Sequence, residues 1–184
     1  MLLELAIGDA YGAGFEFADH NIIDDHNDLS GYIKHQKHDI TPGNYTDDTQ
    51  MSIAIAEMML NGHDWTILNI ANKFVEVFKR DPRLGYSSRM FAALTKSKDG
   101  SEFLKKIDPK SERSGAAMRA PPLGFLPEID QVIEYATLQA KLTHKTQIGI
   151  NSAIASAVLP TSATAQPSSG KRSNAFTKSS PFIL

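Results

Sequence analysis

The chain has 184 residues, of which 41% are hydrophobic and 22% charged, so it is long enough for one domain with a substantial core. Its formal net charge of −2 provides no electrostatic attraction to nucleic acid or to an anionic membrane. Cysteine is absent, which excludes disulfides, thiolate metal sites and cysteine nucleophiles. Glu4 and Asp9 come too early for a signal peptide, and no apolar run reaches the roughly 20 residues of a membrane span. We therefore expect a cytoplasmic globular protein that binds neither nucleic acid nor membranes.

The first part of the chain predicts one short helix followed by a long polar loop. Apolar residues predict a helix over residues 2–12 that ends near Gly12. Residues 18–45 are polar and irregular, with a short extended piece at 31–34, and hold four of the six histidines. Their spacing matches no metal-ligand signature, so we expect solvated side chains.

The middle of the chain predicts a buried helix and an amphipathic helix. Residues 51–60 are apolar nearly all round, which is typical of a central helix. Asp64 is the expected N-cap of the next helix, which has apolar residues at helical spacing and stops at Asp81-Pro82.

The remaining segments also favour helices. We expect helices over residues 87–96, 101–107, 127–144 and 147–159, with a loop over 111–126. Strand alternation is weak throughout, so the predicted fold class is all-α. Residues 160–184 lack periodicity, so we expect a helical domain over 1–159 and a disordered or aberrant tail over 160–184.

The segment Asn44-Tyr45-Thr46-Asp47-Asp48-Thr49-Gln50 concentrates oxygen side chains immediately before the central helix. Thr46 is a good N-cap, and Asp47 and Asp48 suit the positive end of a helix dipole. The same side chains are ligands that Mg²⁺ prefers. Capping and metal binding both remain open from this segment alone.

Four segments occur in an informative order. They are Ala6-Ile7-Gly8-Asp9-Ala10-Tyr11-Gly12 followed by Glu16-Phe17, then Gly43 to Met51, then Ser114-Gly115-Ala116-Ala117-Met118-Arg119-Ala120-Pro121, then Leu142-Thr143-His144. In this order they resemble the ADP-ribosylglycohydrolase family, which includes the dinitrogenase-reductase-activating glycohydrolases. The likeness spans roughly residues 2–158.

The resemblance implies a compact orthogonal bundle of helices with a binuclear Mg²⁺ site in a cleft. It implies a hydrolase that cleaves the glycosidic bond between ADP-ribose and a protein side chain or a small acceptor. Thr46, Asp47 and Asp48 match the first half of the metal site. Asp48 and Glu16 are the residues we expect to act on water or the leaving group, although a solvated loop acid remains an alternative for Glu16.

The resemblance also assigns residues to the substrate. The segment that would wrap the diphosphate or ribose contributes Ser114, Gly115, Ala116 and Met118, and His144 would line the cleft. A helix-end charge remains the alternative for His144, and Arg119 could contact phosphate or form a salt bridge.

The sequence departs from the family pattern in its second half. No acidic residue follows Glu134, so the later acidic motif that completes the metal site is absent, and Arg113 precedes Ser114-Gly115 where many members carry Gly-Asn. We therefore expect a domain that is incomplete at its C-terminus and weakly active or inactive alone. The alternative function is a non-catalytic remnant or an ADP-ribose-binding module.

Overall fold

The computed structural model describes residues 1–62 and 64–164. Its helices are α1 (Leu2–Ala13), α2 (His20–His26), α3 (Asp47–Leu60), α4 (Ile67–Arg80), α5 (Ser88–Thr95), α6 (Gly100–Lys106), α7 (Gly115–Met118), a 3₁₀ helix (Pro121–Phe125), α8 (Ile129–Lys141) and α9 (Gln147–Thr164). Within these residues extended backbone pairs only at one isolated antiparallel bridge, between Lys110 and His144. The all-α prediction is confirmed. None of these helices is long and apolar enough to cross a membrane.

Helix α3 occupies the centre of the fold, as its apolar sequence predicted. It packs against α1, α4, α7 and the 3₁₀ helix. Met51, Ile55 and Met58 on it are at most 1% exposed. Burial of each such side chain contributes roughly 1.5–3 kcal/mol, so the position of α3 is fixed by packing on several sides.

Helix α4 is amphipathic, but its N-cap differs from the prediction. The cap is Thr66, whose Oγ1 accepts a hydrogen bond from the backbone N–H of Asn69 at 3.1 Å. Asp64 instead accepts a hydrogen bond from the Asn69 side chain through its backbone carbonyl. The expected cap was therefore wrong by two residues, because Thr66 is the residue that adopts the extended backbone of a cap.

Two helical pieces lie where loops were expected. Helix α2 buries none of its residues, so the sequence carries no apolar period to reveal it. Between Ser111 and Leu126, α7 forms a single turn and the 3₁₀ helix follows it. Ser156 of α9 donates a hydrogen bond to the Ala117 carbonyl at 2.8 Å, which ties this turn to the last helix. Such short pieces depend on tertiary contacts rather than on local periodicity.

Helix α9 continues to Thr164, beyond Leu159 where we expected the last helix to end. Proline normally disfavours a helix interior because it lacks an N–H group. Here Pro160 packs over Gly124 of the 3₁₀ helix, so apolar contact continues past the expected boundary. The rest of the expected tail, residues 165–184, lies outside the described residues, and the division of the chain at 159 stays a prediction.

Candidate functional site

A cavity of about 1070 Å³ opens between α1, the start of α3 and the segments that follow α4 and α6. This volume is at the upper end of the range for ligand pockets, so it can hold a ligand of dinucleotide size. The cavity is lined by eight of the residues assigned from the sequence: Glu16, Thr46, Asp47, Asp48, Ser114, Gly115, Met118 and His144. Ala116 does not line it, because its side chain is fully buried behind the turn of α7.

The start of α3 is held by a residue of α1 that the sequence analysis did not assign. Asp9 accepts hydrogen bonds from the backbone N–H groups of Thr46 and Thr49 (2.8 and 3.1 Å) and from both hydroxyls (2.6 Å each). Thr46 occupies the N-cap position, but its own side chain makes no cap hydrogen bond. Thr46 is therefore the N-cap residue, as predicted, but a carboxylate from a neighbouring helix rather than its own hydroxyl satisfies the N–H groups at the start of α3.

Asp47 and Asp48 lie in the first turn of α3, on the cavity wall. Burial raises the pKa of Asp47 to about 7, and the charge of Asp48 adds to this effect. Burial likewise raises the pKa of Asp48 to about 6, followed by the charges of Asp9 and Glu16. Across the described residues neither aspartate forms an ion pair. The start of α3 thus places two acidic side chains on the cavity wall that have no ion-pair partner in the described part of the chain.

Gly85 supports Asp47 from behind. Its φ of +107° is a conformation that side chains of other residues rarely adopt. A Cβ atom built on Gly85 would overlap the Asp47 carboxylate and lie 2.9 Å from the Thr46 Cβ. A glycine is therefore required here by the positive φ and by the lack of space. Because Gly85 has no side chain, the Asp47 carboxylate can occupy its observed position.

The oxygen atoms of Thr46, Asp47 and Asp48 are suitable ligands for a hard divalent cation, but they are too few to complete its coordination shell. Both carboxylates are partly desolvated, and the Thr46 hydroxyl, which donates to Asp9, keeps a lone pair for a cation. A bound cation would also offset the burial and the repulsion that together raise both pKa values. No group of three or more histidine, aspartate or glutamate side chains in the described part of the chain is arranged to hold a metal ion.

Glu16 contacts a histidine that we expected to be solvated. His35 has a fully buried side chain, and its Nδ1 accepts hydrogen bonds from the backbone N–H groups of Lys37 and His38 (2.9 and 3.0 Å). Backbone N–H groups only donate, so the ring hydrogen is on Nε2, which faces the Glu16 carboxylate at 3.3 Å. The expectation of solvation was wrong for His35, whereas His20 and His26 of α2 and His38 in the loop are exposed.

The segment Ser114–Met118 forms a tight turn beneath His144. The Ser114 carbonyl accepts the N–H groups of Ala117 and Met118, so these two groups are used within the turn. A Cβ atom on Gly115 would lie 3.0 Å from the His144 ring, which shows how closely the imidazole covers this glycine. Ser52 of α3 also donates to the Met118 carbonyl at 3.3 Å. The turn is thus held between α3 and the segment that follows α8.

Arg119 is buried with neutral partners instead of a carboxylate. It is 1% exposed and donates to the Gln139 side chain, the Gln139 carbonyl and the Thr143 hydroxyl (2.6, 3.0 and 2.8 Å). Burial lowers the pKa of Arg119 to about 9, so it stays charged at neutral pH. The salt bridge considered for Arg119 is absent from the described residues. Its hydrogen bonds instead join α7 to α8.

His144 lies three residues beyond the end of α8, is 5% exposed and lines the cavity. Burial lowers its pKa to about 4, and the charge of Arg119 adds to this effect. The backbone of Arg113 raises the pKa and so opposes them in part. His144 is therefore neutral at physiological pH, which favours the cavity-lining role over the alternative of a charge at a helix end.

Comparison with known proteins gives one family. The model of the ADP-ribosylglycohydrolase family matches residues 1–179. ADP-ribosylhydrolase ARH3 of Xenopus tropicalis is 33% identical over 123 residues, which cover 62% of this chain and 35% of that protein. Human ADP-ribosylhydrolase ARH3 is 26% identical over 180 residues, which cover 83% of this chain and 46% of the human protein.

An archaeal relative extends the comparison. An uncharacterized protein of Archaeoglobus fulgidus is 30% identical over 164 residues, which cover 85% of this chain and 52% of that protein. The chain thus spans about one third to one half of the length of these relatives. The family match extends over nearly the whole chain, and the chain belongs to the ADP-ribosylglycohydrolase family.

Proposed function

We propose that this protein is a Mg²⁺-dependent hydrolase that cleaves the glycosidic bond between ADP-ribose and a protein side chain or a related small acceptor. The observation that carries the proposal is the pair of desolvated carboxylates, Asp47 and Asp48, on the wall of a cavity of about 1070 Å³. The ARH3 relatives are named ADP-ribosylhydrolases, which supports the same reaction. A cytoplasmic location belongs to the proposal and agrees with the cysteine-free sequence.

The acidic cavity suits the charge that develops when a ribosyl bond breaks. Such a reaction passes through a state with positive charge on the sugar ring, and nearby carboxylates stabilise it. We assign Asp48 and Glu16 to the water and the leaving group. His35 orients Glu16 through its Nε2 hydrogen.

Thr46, Asp47 and Asp48 would hold Mg²⁺ at the start of α3. When bound, the ion orients ribose hydroxyls and lowers the pKa of a coordinated water. The family site is binuclear by resemblance, and Asp47 and Asp48 supply two of the oxygen ligands that it needs. Asp9 fixes the turn that carries them, and Gly85 leaves room for the Asp47 carboxylate.

The other side of the cavity would bind the rest of the conjugate. Ser114, Gly115 and Met118 line it beside His144, whereas Ala116 supports the turn from behind. In the proposal this turn lies against the diphosphate or ribose, because a segment of small residues allows close approach of a ligand. The partner would be an ADP-ribosylated protein or a small ADP-ribose conjugate.

A second candidate function is ADP-ribose binding without turnover. It is favoured by the lack, among the described residues, of any group of three metal-ligating side chains. Two carboxylates and a hydroxyl hold Mg²⁺ weakly, because the ion requires about six well-placed oxygen ligands and retains water in the remaining positions.

The two functions are separated by binding and turnover measured on one preparation. ADP-ribose release from a modified peptide and from a small conjugate is followed with Mg²⁺ and with a chelator, and binding is followed by thermal shift. Ligand at 100 times its dissociation constant stabilises a protein by about 2.7 kcal/mol. Asp48→Asn should abolish release, whereas Asp64→Asn, an exposed acid outside the cavity, should not change it. Binding without release would support the binding module, and a lack of both would contradict both functions.

A further inference from the structure

One buried polar atom of the cavity wall forms no hydrogen bond of normal geometry with the described residues, although the backbone of Arg113 lies near enough to influence its ring. Among the described residues, Nε2 of His144 is the buried side-chain nitrogen or oxygen that makes no hydrogen bond. The residue is 5% exposed, and its ring covers Gly115 at the cavity. A buried unpaired polar group is costly, so such an atom in a ligand cavity indicates a group that a ligand satisfies.

The other ring nitrogen of His144 ends a chain of hydrogen bonds. Arg119 donates from Nη2 to the Thr143 hydroxyl at 2.8 Å, and that hydroxyl lies 2.7 Å from Nδ1 of His144. A guanidinium has only donors, so the Thr143 oxygen accepts from it. Nδ1 of His144 is the acceptor within reach of the Thr143 hydroxyl hydrogen, and an Nδ1–H would leave that buried hydrogen without a partner, so the hydroxyl donates to Nδ1. Nδ1 is then an acceptor, and the hydrogen of the neutral ring is on Nε2.

The orientation of Arg119 is fixed in turn by α8. Its Nε donates to the Gln139 Oε1, and Gln139 donates from Nε2 to the Ala116 carbonyl at 2.8 Å. All four side chains of this chain of hydrogen bonds are at most 5% exposed. The hydrogen-bond direction therefore runs from a buried cation outward to the cavity, with little water to compete.

We propose that Arg119 and Thr143 are positioning residues that hold His144 in the tautomer with hydrogen on Nε2, so that the cavity presents a fixed neutral donor to an oxygen acceptor of the ligand beside Gly115. The identity of that ligand, an ADP-ribose conjugate, rests on the proposed function. A histidine free to exchange tautomers would present an acceptor part of the time, and an acceptor nitrogen repels phosphate and carbonyl oxygens. The hydrogen bonds from Arg119 through Thr143 to His144 thus favour ligands that place an acceptor oxygen next to Gly115.

The tautomer is measured in the free protein, without metal or ligand. Long-range ¹H–¹⁵N correlation spectra of ¹⁵N-histidine-labelled protein distinguish the two tautomers, and His144→Asn assigns the signal. We expect the Nε2–H form in the wild type and in Thr143→Ser, which keeps the hydroxyl. Thr143→Val should give a mixture of tautomers. An Nδ1–H or charged ring in the wild type, or an unchanged tautomer in Thr143→Val, would overturn the proposal.

Ligand binding gives a second readout. In calorimetric titration with ADP-ribose, Thr143→Val should bind about three- to tenfold more weakly than the wild type, whereas Thr143→Ser should stay within about twofold. Equal affinity of all three proteins would contradict a role of the tautomer in recognition. Circular dichroism checks folding, and Thr143→Ala replaces the valine variant if that one does not fold. Failure of the wild type to bind ADP-ribose would contradict the proposed function, while the spectra would still decide the positioning role.

Discussion

Asp9 in α1 and Thr46 at the start of α3 are joined by two hydrogen bonds, from the Thr46 backbone N–H and from its hydroxyl, at 2.8 and 2.6 Å. The same carboxylate also holds Thr49. The first turn of α3, which carries Asp47 and Asp48, is therefore attached to a helix 37 residues earlier in the chain. The geometry of the two candidate metal ligands depends on this attachment.

Replacing Asp9 by Asn should destabilise the protein and weaken cation binding. The amide keeps one acceptor oxygen but turns an NH₂ group towards N–H and O–H donors, so we expect a loss of about 1–3 kcal/mol in the free energy of unfolding. Urea denaturation measures this loss, and Mn²⁺ titration measures the binding. Glu4→Gln, an exposed acid on the same helix, is the matched control and should behave as the wild type. Unchanged Mn²⁺ affinity in Asp9→Asn would contradict the positioning role.

Replacing Gly85 by Ala should displace Asp47. The new methyl group would overlap its carboxylate, and the φ of +107° adds backbone strain of roughly 1–2 kcal/mol. Gly62→Ala separates the two effects, because Gly62 also has a positive φ of 62° but faces open space. We expect both variants to melt at lower temperature, and Gly85→Ala alone to lose Mn²⁺ affinity. Equal loss of affinity in both would attribute the effect to backbone strain.

The acidic pair should make stability depend on pH when no divalent cation is present. The pKa values of Asp47 and Asp48 are raised from 3.8 to about 7 and about 6 in the folded chain, so the folded chain binds more protons than the unfolded chain in this range. The free energy of unfolding should therefore decrease as the pH rises from about 4 towards 7, by roughly 1–3 kcal/mol in total. Asp47→Asn should flatten the curve, and so should saturating Mg²⁺.

The contribution of His144 to the free energy of unfolding has the opposite pH dependence, so the wild type must be compared with Asp47→Asn at each pH. The pKa of His144 is lowered to about 4, so its contribution to stability is lost as the pH falls below 6.5. The difference between the wild type and Asp47→Asn removes this common contribution. If the free energy of unfolding of the two proteins changed in parallel between pH 5 and 8, the prediction would be contradicted.

Replacing His35 by Ala should impair the reaction through Glu16. The variant removes the acceptor of two backbone N–H groups and the donor to the Glu16 carboxylate. We expect a loss of stability of about 1–3 kcal/mol and a decrease in kcat that exceeds any change in KM. His20→Ala, an exposed histidine of the preceding helix, is the control. If Glu16 has the assigned role, Glu16→Gln and the double variant should have the same kcat as each other.

The sequence predicted those elements whose own periodicity determines their burial. Residues 67–80 carry a clear apolar face, and α4 forms there because that face must be buried. The apolar run at 51–60 predicted the central position of α3 for the same reason. Helix α2 and the 3₁₀ helix were missed because they are short and carry no apolar period of their own.

The residues of the candidate site likewise include some that the local sequence revealed and others that only the fold revealed. The adjacent pair Asp47-Asp48 was visible in the sequence because the two residues lie next to each other at a helix start. Asp9 belongs to the segment Ala6 to Gly12 that carries the family resemblance, yet its contact with Thr46 spans 37 residues and has no local pattern. His35 contacts Glu16 across 19 residues, and nothing in its immediate sequence indicated burial. Long-range hydrogen bonds of this kind become visible only when the fold is known.

The cavity draws its lining from Leu5 to His144. No single helix or contiguous segment contains enough of that lining to recognise a nucleotide-sized molecule. Occupancy of the cavity therefore reports on the integrity of the fold between Leu5 and His144, and ligand affinity should be lost in the same cooperative transition as the fold during denaturation.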